Sequence, residues 1–342
     1  MSEVFYTDKS RVRASFERAA QSYDGAAVLQ REVSQRMEQR LDYIKIAPKV
    51  ILDAGSGTGE GASALRRRYP DARVIELDLA QAMLRTSYHK QQQSTGLIKR
   101  LLGGAKPWQV CGDLEHMPLA DASVDMIWSN LAIQWVNVPD TLFAEFRRVL
   151  KPDGMVMFST LGPDTLSELR QSFDGLDSST HVNQFIDMHD LGDALLAGGL
   201  SEPVMDMEKI VLTYTALRDV LRDLKAIGAH NVTAGRSRGL MGKGTWRALE
   251  ARYEALRRDG RLPASYEVVY GHEWFKGRSR RVDPAQGAVN QWLLPIRVQR
   301  TPGLAIDPIN KLIRVKARLR QKRQHTAITG INCNQGAAPI AK

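Results

Sequence analysis

Three glycines at alternate positions, Gly55, Gly57 and Gly59, follow an apolar run in "VILDAGSGTGEGA", Val50 to Ala62. Glycine has no Cβ and adopts positive φ without steric cost, so such a turn lets a ligand approach the backbone closely. Asp53 precedes the turn. Asp78 closes "ARVIELD", Asp113 follows Gly112 in "WQVCGDLEHMP", and Ser129 and Asn130 close "VDMIWSN". These residues suit recognition of hydroxyl and amino groups. His116, His181, His189 and His272 have no metal-ligand spacing, and no metal site is expected.

The elements that must position these groups follow from periodicity. Residues 10–43 read as helical, with Val12, Phe16, Ala19, Ala20 and Tyr23 at helical spacing and a break predicted at Gly25. "KVILDAG", "ARVIELD", "VDMIWSN" and "MVMFSTLG" read as strands, and "WQVCGDLEHMP" as a short strand and loop. "GASALRRRYP", "AQAMLRTSYHK" and "PDTLFAEFRRVLKPDG" read as intervening helices, the last ended by Pro152 and Gly154. Strands alternating with helices predict an α/β fold with a mostly parallel sheet. In such sheets ligands sit at the carboxyl ends of the strands, so Asp53, Asp78, Asp113 and Ser129–Asn130 are expected on one edge. Beyond Leu166 the pattern changes to a helix, a glycine turn and a strand. Then come an amphipathic helix with Leu217, Val220, Leu221, Leu224 and Ile227 on one face, a further helix, and a β-rich stretch expected to complete the sheet with an antiparallel edge.

Three nucleotide ligands compete for the glycine turn. A triphosphate loop needs a Gly-Lys-Ser/Thr ending, and Glu60 stands where a cation would be wanted. Gly57, Gly59 and Ala62 fit the dinucleotide pattern G-x-G-x-x-A, yet a pyrophosphate wants a helix N-terminus free of anions. S-adenosylmethionine has no phosphate and needs close approach without anion selectivity. Asp53 and the turn would then serve its ammonium end, Asp78 both ribose hydroxyls, and Asp113 the adenine amino group with the Leu114 amide beside it.

"VILDAGSGTG", "IELDLAQAML", "GDLEHMPLADASVDMIWSNLAIQWV" and "EFRRVLKPDGMVMFSTL" resemble, in order and spacing, the motifs of class I S-adenosylmethionine-dependent methyltransferases. The resemblance implies a Rossmann-like seven-stranded sheet, mostly parallel, with helices on both faces and an added helical lid or cap. It implies a cofactor site at Asp53, Gly55, Ser56, Gly57, Gly59, Asp78, Leu79, Met83, Asp113, Leu114, Ser129 and Asn130.

"SFERAAQSYD", "SNLAIQWV", "TLGPDTLSELR", "FIDMHDLGDALLAGGLSEPVMDMEKIVLTY", "LRDLKAIGAHN" and "GRLPASYEVVYGHEW" extend the likeness over about residues 8–276, to the malonyl-acyl carrier protein O-methyltransferase family of biotin synthesis. That resemblance implies methylation of the free carboxylate of a malonyl thioester on acyl carrier protein. The carboxylate is ionised at neutral pH, so no general base is required. Catalysis then rests on positioning and desolvation. Tyr23, Gln134, Trp135, Arg147 and Arg148 are the candidates for positioning it. Acyl carrier proteins are acidic, and Arg236, Arg238 and Lys243 are expected to steer one. A related group resembling the arginine hydroxylase of complex I assembly shares "GPDTLSELR", "DLGDALLAGG" and the "LPASYEV" region, and is the rival within the fold.

The 342 residues carry a formal charge of +10, concentrated at one end. Residues 278–342 hold thirteen Lys/Arg against two Asp, while the preceding 277 hold 35 basic and 36 acidic residues. A basic end raises a rival of another class, nucleic-acid binding through the tail. The default is a solvated, poorly ordered tail with no stable nucleic-acid or membrane partner. The expected organisation is a helical lid at 1–47, a methyltransferase domain at 48–277 with cap helices over about 165–260, and the basic tail at 278–342. Two cysteines, no apolar span of bilayer length and no signal-peptide pattern are consistent with a cytoplasmic protein.

Overall fold

A computed structural model describes residues 6–94, 107–200, 202–229, 231–233, 235–236, 239 and 241–276. The basic tail expected at 278–342 lies outside the described residues.

Seven strands form one sheet: β1 (Val50–Ala54), β2 (Arg73–Asp78), β3 (Trp108–Cys111), β4 (Val124–Asn130), β5 (Leu150–Leu161), β6 (Val204–Tyr214) and β7 (Leu262–Trp274). Their order is β3-β2-β1-β4-β5-β7-β6. The first five run parallel, and β7 is antiparallel to both β5 and β6. The antiparallel strand is therefore one place inside the edge and not at it. Burial explains the order. β7 is buried along nearly its whole length, whereas β6 alternates between half-buried and exposed residues and carries Asp206, Glu208 and Lys209. The more polar strand takes the solvated edge.

Alternation along the strands divides the core. Ile51, Met126, Trp128, Met155, Met157 and Val268 face one layer, and Leu52, Ile127, Val156, Phe158 and Val269 face the other. Both faces of these strands are buried, which is why they read as continuous apolar runs. On the first face lie α3 (Val28–Arg40), α4 (Glu60–Arg68), α7 (Ser167–Phe173), α9 (Leu217–Ala226) and α10 (Lys243–Glu254). On the second lie α6 (Pro139–Val149) and α8 (Met188–Ala197). Of the segment at about 165–260, β6 belongs to the sheet, and α7, α9 and α10 share the core of its first face. The helix α5 (Gln81–Ser94) follows β2.

Two boundaries differ from the sequence reading. The N-terminal stretch is α1 (Lys9–Ala19), a single turn α2 (Tyr23–Ala26) and α3, so Gly25 lies inside a turn and the breaks flank it. The helix expected to run to Pro152 ends at Val149. Residues 151–154 form the irregular start of β5, with Asp153 at φ 64° and a register shift opposite Val124–Met126. The closing proline and glycine shape a bulge and not a helix cap.

Candidate functional site

The carboxyl ends of β1, β2 and β4 meet where the strand order reverses, and the glycine turn lies there. Gly55 and Ser56 donate their amides to Leu77 O at 2.8 and 3.0 Å, which binds the turn to β2. Gly55, Gly57 and Gly59 all have positive φ, and Gly59 caps α4. Their reasons differ. A Cβ on Gly55 would lie 2.3 Å from Ala132 Cβ, and one on Gly59 2.0 Å from Ser87 Oγ. Only Gly57 faces an open cleft, with Tyr23 Cε1 at 3.9 Å its nearest neighbour. Of the three, Gly57 alone has open space where a Cβ would stand, while its two neighbours make room for other parts of the protein.

Asp78 accepts from the Gly57 amide through Oδ2 and from the Ala80 amide through Oδ1, each at 2.8 Å. Burial pushes its pKa up to about 6, against the pull of those two N–H groups. Asp53 is 2% exposed, and its Oδ2 has no hydrogen-bond partner among the described residues. Burial, then repulsion from Glu76, raises it to about 8, with Arg66 acting in opposition. Ser56 Oγ is likewise buried and has no partner among the described residues. Leu79 is half-buried beside Asp78, and Met83 packs with Ala80, Phe16 and Tyr23 beneath the N-terminal helices. In the loop after β3, Asp113 Oδ1 accepts from the Glu115 amide at 3.1 Å. The neighbouring Leu114 amide makes no hydrogen bond among the described residues.

Two residues expected here are committed elsewhere. Ser129 is fully buried and donates to Ala54 O at 2.8 Å, joining β4 to β1. Asn130 donates to Gln30 O and accepts from Ser159 Oγ, both at 2.9 Å, so its amide ties α3 to the sheet. Both stand at the expected strand end, and each side chain is bonded to a neighbouring element of the fold.

The positioning candidates also separate. Tyr23 stands over Gly57, and burial, then the charge of Asp78, raises its phenol's pKa. Gln134 lines a cavity with Tyr6, Thr7, Asn137, Thr160 and Gln184, donating to Leu131 O at 2.7 Å. Trp135 turns the other way and meets Phe16 of α1 edge-on, ring centroids 5.3 Å apart. Arg147 and Arg148 do not belong with them. They close α6 at the amino-terminal edge of the sheet, where Arg148 O accepts from the Ala122 amide just before β4. The Arg148 guanidinium donates to Glu145, Asp121, Leu119 O and Met117 O, while Arg147 lies over the Phe275 ring. Both therefore stand at the opposite edge of the sheet from the glycine turn.

Sequence reasoning missed the ties that hold the N-terminal helices over this edge. Asn137 donates to Thr7 O and accepts from Thr7 N at 2.9 and 2.8 Å. Glu17 accepts from the Gln81 and Ala82 amides at the start of α5, and Asp24 accepts from Thr58 and Lys90. These partners lie 34 to 130 residues apart in the chain, and no local pattern marks them.

A family profile described as a methyltransferase domain matches residues 52–158. The malonyl-[acyl-carrier protein] O-methyltransferase of Laribacter hongkongensis is 65% identical over 274 residues, covering 80% of this chain and 92% of the relative. The chain belongs to the malonyl-acyl carrier protein O-methyltransferase family. The relative of that name from Gallionella capsiferriformans is 57% identical, covering 79% of this chain and 92% of its own. One from Methylovorus is 53% identical, with 80% and 90% covered. The methyl donor is S-adenosylmethionine. As a member of this O-methyltransferase family, the chain carries a site that fits that cofactor. Gly57 leaves space at the cleft, carboxylates stand at the ends of β2 and β3, and Glu60 at the helix start disfavours a phosphate. No helix among the described residues is long and apolar enough to cross a membrane.

Proposed function

We propose that the protein transfers the methyl group of S-adenosylmethionine to the free carboxylate of a malonyl thioester carried on acyl carrier protein, an early step of biotin synthesis in the cytoplasm. The observation that carries this reading is the 65% identity to a relative of that name over 92% of its length.

The cofactor supplies a methyl group made electrophilic by its sulfonium. Asp78 holds the ribose hydroxyls, its carboxylate oriented by the Gly57 and Ala80 amides. Asp113 and the Leu114 amide receive the adenine edge. The Gly57 backbone and Asp53 serve the amino-acid end. Tyr23 over Gly57, and Gln134 in the cavity lined by the loop after β4, place the malonyl group, while Trp135 braces that loop against Phe16 of α1. Because the nucleophile is already ionised, no side chain has to accept a proton.

Among the described residues, those lining the cavity beside Gln134 include no Lys or Arg. Neutral donors suit the reaction. A carboxylate nucleophile loses its charge as it attacks, so a tight ion pair would stabilise the ground state more than the transition state. Amide and hydroxyl groups satisfy a buried carboxylate at smaller cost to its reactivity, and the amides of Gln134 and Asn137, each with one N–H on a backbone carbonyl, keep a second to offer.

Arg236 and Lys243 form part of a rim that steers the acidic carrier; Arg238 lies outside the described residues. Lys243 is exposed at the start of α10, and Arg236 is half-buried with one donor on Thr233 O. Charge reversal at Lys243 is expected to weaken use of the carrier protein and spare a small malonyl thioester. Equal loss on both substrates would remove Lys243 from the rim.

Incubation with labelled S-adenosylmethionine and malonyl-acyl carrier protein tests the function. A base-labile methyl ester is expected. No transfer to malonyl, succinyl or glutaryl carriers overturns it.

A further inference from the structure

Lys9, in the first turn of α1, reaches across to the loop after β3. Its Nζ lies 2.8 Å from Asp113 Oδ1 and 2.5 Å from a carboxylate oxygen of Glu115. The other Glu115 oxygen accepts from the Val138 amide at 3.0 Å. One ammonium thus joins two acids, and neither is deeply exposed: Asp113 is 29% exposed at its side chain and Glu115 10%. The distribution of bonds on Asp113 is asymmetric. Oδ1 takes both the Lys9 ammonium and the Glu115 amide, while Oδ2 receives no hydrogen bond among the described residues. Two donors on one oxygen fix the rotation of the carboxyl group and leave the second oxygen with its lone pairs free.

We propose that Lys9 is a positioning residue for adenine recognition: by holding Asp113 Oδ1, it presents Oδ2 to the exocyclic amino group of the cofactor. This rests on the reading of Asp113 as the adenine acceptor. Lys9 also stands between Asp113 and Glu115, two residues apart, and offsets the repulsion between the two carboxylates. An amino group donates to that acceptor; a 6-oxo purine presents an oxygen to it and is repelled. The N-terminal helix therefore contributes to base discrimination as well as covering the site. Its other ties, such as Asn137 to Thr7, do not touch Asp113.

The test is calorimetric binding of S-adenosylhomocysteine and its deaminated counterpart, S-inosylhomocysteine, to the full chain and to Lys9→Met, Lys9→Arg and Asn137→Ala. Thermal melts confirm that each variant is folded. The unsubstituted chain is expected to prefer the adenosyl ligand by at least about tenfold, the scale of one hydrogen bond to a charged group. Lys9→Met should cut that preference to about threefold or less, and Lys9→Arg should retain most of it. Asn137→Ala should weaken both ligands alike and leave the ratio unchanged. If Lys9→Met also weakens both alike, or changes neither, Lys9 is only a tether and the proposal fails. If the unsubstituted chain itself shows no preference, the assignment of adenine to Asp113 fails first, and this inference with it.

Discussion

Ser87 Oγ donates to the buried carboxylate of Glu76 at 2.6 Å and stands 2.0 Å from where a Cβ on Gly59 would fall. The third glycine of the turn is thus required by a helix two elements away. Ser87 is on α5, and Glu76, with no exposed surface, also accepts from Arg66, Gln91 and Gln109. The network locks α5 against β2 with α4 above it. Gly59→Ala adds a left-handed alanine and an overlap with Ser87, and is expected to destabilise the fold by about 2–4 kcal/mol. Pairing it with Ser87→Gly should recover part of that loss in denaturant melts. Strict additivity of the two changes would refute the contact.

Asp53 gives a pH dependence of defined sign. Burial pushes its folded pKa up to about 8, well above the ordinary carboxylate range, so the folded state holds the proton more tightly. The stability this supplies is complete below about pH 4 and is lost as pH rises through 8. Asp78, raised to about 6, contributes in the lower part of that window. Between about pH 6 and 8 the decline belongs mainly to Asp53. Urea melts of cofactor-free Asp53→Asn should show a flatter profile there than the unsubstituted chain. An equally steep decline would mean that Asp53 is ionised throughout.

Tyr23→Phe separates positioning from packing. The ring keeps its place over Gly57 and against Met83, so cofactor affinity should stay within about twofold. If the hydroxyl holds the malonyl carboxylate, kcat should fall about tenfold to a hundredfold. A variant of unchanged kcat, measured with saturating cofactor, would leave Tyr23 as a wall of the cleft.

Arg148→Ala should act on stability alone. Its guanidinium joins Asp121, Glu145 and two carbonyls far from the cleft, so its loss is expected to cost about 1–3 kcal/mol. KM for the malonyl carrier and kcat per folded molecule should not change. A selective rise in KM would return Arg148 to the substrate site.

The strand-ending positions of Asp53, Asp78 and Asp113, the alternation of strands with helices, and the order of the motifs were all present in the sequence. They depend on local periodicity and on spacing, which survive in one dimension. The order β7-β6 at the far edge was not, because it depends on which strand, β6 or β7, is buried beside β5 and which is left half-exposed at the edge. Position at a strand end also does not say what a polar atom will meet. Ser129 and Asn130 stand where a cofactor residue would, yet each is spent on a neighbouring element. Gly55 and Gly59 look like ligand glycines and are packing glycines. The ties of Lys9, Glu17, Asp24 and Asn137 join residues distant in the chain, and a hydrogen bond depends on two atoms meeting in space. The sequence determined which chemical groups reach the carboxyl edge of the sheet. The tertiary structure decided which of them keep a free lone pair once the fold has satisfied its own donors and acceptors.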